Sequence, residues 1–160
     1  MAAEKLSYDD FIQTLNADNL AFVEELHGFL LNNGHKPTFE SKKSGLLGSY
    51  KHTKTKKVVM NFLFRKRGLI VRIYGENISG YHDLLQTLPA EMVDEITGAG
   101  ICKQLVSGGC STRCSGYDFT IGGEHFQKCR YSCFEFLVTG ESKPFIKAFV
   151  ENETKARSAA

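Results

Sequence analysis

Apolar residues recur along this chain at two different periods. Between Asn16 and Gly34 they fall three and four apart, at Phe22, Val23, Leu26, Phe29 and Leu30. That is the period of a helix with one buried face. Asn16 and Asp18 can cap its start, Gly34 ends it, and Pro37 stops any continuation. A shorter helix is predicted before it, over 7–15, with Phe11, Ile12 and Leu15 on one face. After Pro37 the pattern changes to runs rich in β-branched and aromatic residues, which predict strands at Leu46–His52, Lys57–Arg65 and Gly68–Tyr74. Lys66-Arg67-Gly68 is a tight link, so its flanking strands are antiparallel neighbours.

Helix returns at Ile78–Leu85, and again after Pro89, with Met92, Val93 and Ile96 facing inward and Gly98-Ala99-Gly100 closing it. Gly122-Gly123 between Tyr117–Ile121 and Glu124–Lys128 is a two-residue hairpin signal. Arg130–Val138 fits strand or helix, and helix is the reading adopted. Pro144 opens a last helix carrying Phe145, Ile146, Phe149 and Val150, and the tail from Thr154 is expected to fray. The expected fold class is α+β. N-terminal helices pack on a curved antiparallel sheet, and short helices and a C-terminal zinc-knuckle, hairpin and helix module follow. The expected division is a core at 1–100, a cysteine-rich module at 101–155 packed on it, and a frayed end at 156–160.

A chain of 160 residues with 42% hydrophobic and 24% charged side chains has the composition of a globular domain with its own core. No apolar run approaches the roughly 18 residues of a membrane span, and the N-terminus lacks the apolar stretch of a signal peptide. A cytoplasmic protein without membrane contact is the expectation.

Net charge is only +2, but it is unevenly placed. Residues 1–35 and 73–101 each carry −5, whereas residues 36–72 carry +10. Lys51, Lys54, Lys56, Lys57, Arg65, Lys66, Arg67 and Arg72 lie among Tyr50, Phe62 and Phe64. Cations interleaved with aromatics on a sheet can hold phosphates and bases. The plainer reading makes Phe62 and Phe64 core and the lysines solubilising hairpin tips. A third use of the patch is contact with an acidic protein surface or with the chain's own acidic segments, within one copy or in a homodimer.

Five cysteines stand in a telling order: Cys102, the pair Cys110 and Cys114, then the pair Cys129 and Cys133. Short spacings of this kind let a turn aim two sulfurs at one ion, so one Zn²⁺ held by Cys110, Cys114, Cys129 and Cys133 is the predicted cofactor. If 130–138 is a strand, Cys129 and Cys133 stand about 13 Å apart and Cys102 replaces Cys133 as the fourth ligand. His125 is a reserve ligand. Free, partly buried thiols are the alternative, and a redox pair the next. A knuckle, a hairpin and a helix resembles the treble-clef type of zinc finger, although the usual pairs there are one residue closer.

No nucleophile elbow, P-loop, dinucleotide fingerprint or metal-hydrolase box is present in the sequence. The order of helix, basic strands ending in Asn61-Phe62-Leu63-Phe64-Arg65-Lys66 and Ile70-Val71-Arg72-Ile73-Tyr74, then short helices, resembles small uncharacterised bacterial proteins of YdhG-like and YjbR-like type. The resemblance covers roughly residues 18–97. It implies an α+β domain with a curved antiparallel sheet, and no particular activity. The expected function is therefore binding without catalysis, with one structural zinc. The alternatives are nucleic-acid binding through the basic hairpins of 36–72, and a thiol-dependent enzyme or redox sensor.

Overall fold

A computed structural model describes residues 4–75, 81–102, 116–129 and 133–159. Its centre is a six-stranded sheet in the order β1-β2-β3-β4-β5-β8, with every neighbouring pair antiparallel. The strands are β1 (Glu4–Leu6), β2 (His35–Lys42), β3 (Gly45–His52), β4 (Val58–Arg65), β5 (Gly68–Ile73) and β8 (Glu135–Leu137). A separate hairpin is made of β6 (Tyr117–Ile121) and β7 (Glu124–Lys128). Among the described residues five helices accompany them: α1 (Tyr8–Ile12), α2 (Ala17–Asn32), α3 (His82–Gln86), α4 (Ala90–Thr97) and α5 (Lys143–Ala159).

Local chemistry explains most of the element ends. Ser7 and Asp10 form a reciprocal capping box at the start of α1, and the Asn16 side chain accepts from the Asn19 N–H at 2.9 Å at the start of α2. Gly122 and Gly123 take φ of 59° and 83°, as a two-residue hairpin with strand-matched twist requires. The end of α4 is held by a buried cation: Lys128 Nζ donates to the carbonyls of Thr97 and Ala99 at 2.7 and 2.9 Å.

One face of the sheet makes the core. Phe39, Tyr50, Met60, Phe62, Val71, Ile73 and Phe136 pack with Phe11 of α1, with Phe22, Val23, Leu26 and Leu30 of α2, and with Ile146, Phe149 and Val150 of α5. Phe62 is thus interior and Phe64 packs partly buried against the core, as the plainer reading of the basic block has it, and Tyr50 is interior as well.

Four sequence expectations need correction. His35–Lys42 is a strand, so Pro37 lies inside an element and does not merely stop a helix. Pro37 is tolerated because β1 pairs only with Phe39–Ser41, so the side of β2 at Pro37 has no neighbour needing its N–H. Residues 135–137 form β8 on the edge of β5, not helix. Just before it, the Cys133 N–H donates to the Cys129 carbonyl at 2.9 Å. Phe134, at φ 57°, then turns the chain into β8. The tail from Thr154 is not frayed, because α5 runs to Ala159 and buries Glu153, Thr154 and Arg157. Residues 133–159 accordingly complete the sheet and core of 1–100, and do not form an added module beside it.

The C-terminal helix is fastened by a buried ion pair. Arg157 Nε donates to Glu153 Oε2 at 2.8 Å, and Tyr81 donates to the other Glu153 oxygen. The rest of the guanidinium reaches strand ends, donating to the carbonyls of Lys57 at 3.2 Å, Val58 at 3.1 Å and Tyr74 at 3.0 Å. Burial and the Glu153 carboxylate hold the Tyr81 phenol far above its ordinary range.

Candidate functional site: the outer sheet face

Alternation along the strands sends every second side chain to the face away from α2 and α5. Registers place Asn61, Ser49 and Arg72 in one row across it, and Leu63, Leu47 and Ile70 in the next. Helix α4 reaches this face only at its β5–β8 end, where Glu95 and Ala99 stand beside Ile70 and Glu135. Over β2, β3 and β4 no described helix covers it, and Lys36, Thr38, Lys42 and Lys51 are exposed.

Charge on this face is one-sided. Outward strand positions hold the cations Lys5, Lys36, Lys42, Lys51, Arg65 and Arg72, against the carboxylates Glu40 and Glu135. Lys36 and Lys51 lie directly opposite each other on adjacent strands, and neither has an ion-pair partner among the described residues. Like charges in that position oppose pairing. Arg72 is tied down at one end, 3.2 Å from Glu135 Oε1. Burial lowers the pKa of its guanidinium, and hydrogen bonds to Tyr74 and Glu135 more than restore it.

A groove of about 370 Å³ runs through the middle of the face. It is lined by two neighbouring cross-strand pairs, the apolar Leu47 and Leu63 and the polar Ser49 and Asn61, together with Tyr74, Arg72 and Lys42. Asn61 is 5% exposed, and its Nδ2 donates to Ser49 Oγ at 2.7 Å.

The basic block of 36–72 is thus divided by the fold. Lys54, Lys56 and Lys57 belong to the β3–β4 turn, and Lys66 and Arg67 to the β4–β5 turn at the other end of β4. Eight residues of strand separate these tips by about 25 Å. Lys51 and Arg65 lie on the outer face. Arg65, Lys66 and Arg67 border a second cleft, of about 550 Å³, whose far side carries Asp94, Glu95 and Glu135. Arg65 stands 3.6 Å from Glu135, so the cations at this end already face acids of the same chain. Sequence reasoning overlooked Lys36 and Lys42 because β2 was not read as a strand, and Ser49 and Asn61 because only the β3–β4 register brings them together.

No protein-family model, curated protein or solved structure matches the chain.

The cysteines divide as well. Cys110 and Cys114 lie outside the described residues. Cys133 is fully buried in the apolar core, and that burial pushes its thiol up to about 12. Cys102 and Cys129 flank the bridge between Ile101 and Lys128, the Cys102 N–H donating to Gln127 and the Cys129 N–H to Gly100. The alternation of side chains makes them diagonal neighbours on one side of this short ladder, roughly 7–8 Å apart. Gly116 lies so close that a Cβ on it would stand 2.3 Å from the Cys102 sulfur. Among the described residues no three His, Cys, Asp or Glu side chains gather as a metal site. His125, the reserve ligand, instead pairs with Asp118 at 2.6 Å on the exposed hairpin, and that hydrogen bond holds the Asp118 carboxyl below its usual range.

Proposed function

We propose that this chain is a binding protein that lays a polyanion, nucleic acid, across the outer face of its sheet. The observation that carries the reading is the direct opposition of Lys36 and Lys51 on a sheet face that no described helix covers over β2 to β4, and whose outward strand positions hold six cations against two carboxylates. Such a face is held against its own repulsion, and a phosphate backbone relieves that repulsion while releasing counterions. The hairpin-tip cations, about 25 Å apart at the two ends of β4, are secondary to it.

The test is the salt dependence of binding to a mixed-sequence single-stranded oligonucleotide. The logarithm of affinity is expected to fall linearly with the logarithm of salt. The triple variant Lys36→Ala, Lys42→Ala, Lys51→Ala is expected to flatten the slope by about 0.7 for each phosphate contact removed. Absence of binding at low salt, or an unchanged slope in the triple variant, refutes the reading. These lysines are exposed, so the variant is expected to fold normally.

One structural zinc remains part of the proposal. Cys102 and Cys129 as neighbours, with Cys133 in apolar surroundings, support the ligand set of Cys102, Cys110, Cys114 and Cys129.

A further inference from the structure

We infer that the groove on the outer face seats one unpaired nucleobase of a single strand, read by Ser49 and Asn61. This inference rests on the nucleic-acid reading above and adds the form of ligand. Ser49 Oγ already accepts a hydrogen bond from Asn61 Nδ2, so the serine hydroxyl proton is directed to another acceptor. Asn61 keeps its amide oxygen and second N–H, and no described residue engages them. A donor and an acceptor therefore stand side by side in the lining of the groove. Every nucleobase carries a donor next to an acceptor on an edge, and an unstacked base can present that edge.

The rest of the groove suits the same guest. Leu47 and Leu63, paired side by side, give one apolar patch for the face of a base, Tyr74 lines the same groove, and Arg72 and Lys42 on its border are the cations for a flanking phosphate. A volume of about 370 Å³ is of the size that takes a small organic ligand. A base paired in a duplex has its Watson–Crick edge occupied and its faces stacked, so it cannot enter. The inference thus separates single strands from duplexes and from other polyanions.

Binding of a single-stranded oligonucleotide, its duplex form, heparin and a doubly phosphorylated peptide is compared at one salt concentration. The single strand is expected to bind at least about tenfold more tightly than the others. Ser49→Ala is expected to weaken the single strand about tenfold and leave the salt slope unchanged, with a thermal melt confirming the fold. Leu47→Lys gives the sharpest test, because it puts a longer side chain at a half-buried lining position of the groove while adding a positive charge. A base-seating groove then loses affinity for the single strand, whereas a purely electrostatic face gains it. Gain of affinity in Leu47→Lys, or equal binding of single strand and heparin, overturns the inference and leaves the polyanion face standing. Absence of binding to every polyanion removes both.

Discussion

Replacing Arg157 by Met tests whether the last turns of α5 hold the sheet together. The substitution keeps the length of the side chain and its packing, and removes the guanidinium. Four hydrogen bonds of 2.8–3.2 Å go with it: one to Glu153 and three to the carbonyls of Lys57, Val58 and Tyr74. Glu153 is fully buried and keeps the Tyr81 hydroxyl, but its negative charge loses the cation beside it. Breaking one side of a buried pair costs about 3–5 kcal/mol. That is a large share of the roughly 5–15 kcal/mol available to a domain. In urea, with a slope near 2 kcal/mol per molar, the unfolding midpoint is expected to fall by about 1.5–2.5 M. Circular dichroism reads the midpoint, and an unchanged slope shows that the native and denatured states keep their compactness. Adding Glu153→Gln to Arg157→Met is expected to recover part of the loss, because the stranded charge disappears. A loss below about 1 kcal/mol in Arg157→Met refutes the argument and returns the segment after Glu153 to the status of a loose tail.

Two further outcomes follow from the buried groups. Protein purified without chelator is expected to carry about one zinc per chain, with Cys102→Ser abolishing it and Cys133→Ser retaining it; absence of metal removes the zinc proposal. His35 and His52 are 3% and 4% exposed with ring centres 4.9 Å apart, and the buried His35 Nε2 has no hydrogen-bond partner. Burial lowers both pKa values, and Arg157 lowers them further. Between those depressed values and about 6.5, the unfolded chain binds more protons than the folded one. Stability is therefore expected to be full near pH 7 and to fall as pH drops from about 6.5 through the folded pKa values. His35→Leu is expected to flatten that fall in thermal melts across pH 7 to 5, and an equally steep fall in the variant refutes the assignment.

Strands β3, β4 and β5 and the β6–β7 hairpin were legible because their signals are local. Val58-Val59-Met60 and Leu69-Ile70-Val71 are strongly β-forming, and Gly68, Gly122 and Gly123 take the positive φ that their turns need. The elements that were missed draw their identity from distant partners. In β2, the run His35-Lys36-Pro37-Thr38-Phe39-Glu40-Ser41-Lys42 has Phe39 as its one large apolar residue, and it becomes a strand by pairing all along β3. Strand β8 is three residues long and exists because Ile70, Val71 and Arg72 of β5 offer it an edge. The end of α5 reads as polar and solvent-facing. Only the topology brings Arg157 under the ends of β4 and β5, where carbonyls await a donor.

The same limit governs the candidate site. A surplus of ten positive charges over 36–72 is visible in the sequence, but charge per segment says nothing about which side of a sheet receives it. Period-two alternation does say so, once the register is known. Met60, Phe62 and Phe64 occupy one phase of β4, and Asn61, Leu63 and Arg65 the other. The aromatics that first suggested base stacking therefore belong to the phase that makes the core, and they cannot also meet a ligand. The residues available to the proposed recognition are those of the opposite phase, which carries the buried Asn61 and, on β2 and β3, the opposed Lys36 and Lys51. A one-residue slip of β3 against β4 would exchange the two sets. The bulge between Tyr50 and Lys51 lies at the β3–β4 turn end, beyond the row of Ser49 and Asn61, so it leaves that row in register. The proposed recognition face is thus fixed by the same pairing that fixes the core, and its exposed Lys36, Lys42 and Lys51 can be replaced to probe binding with little disturbance of the fold.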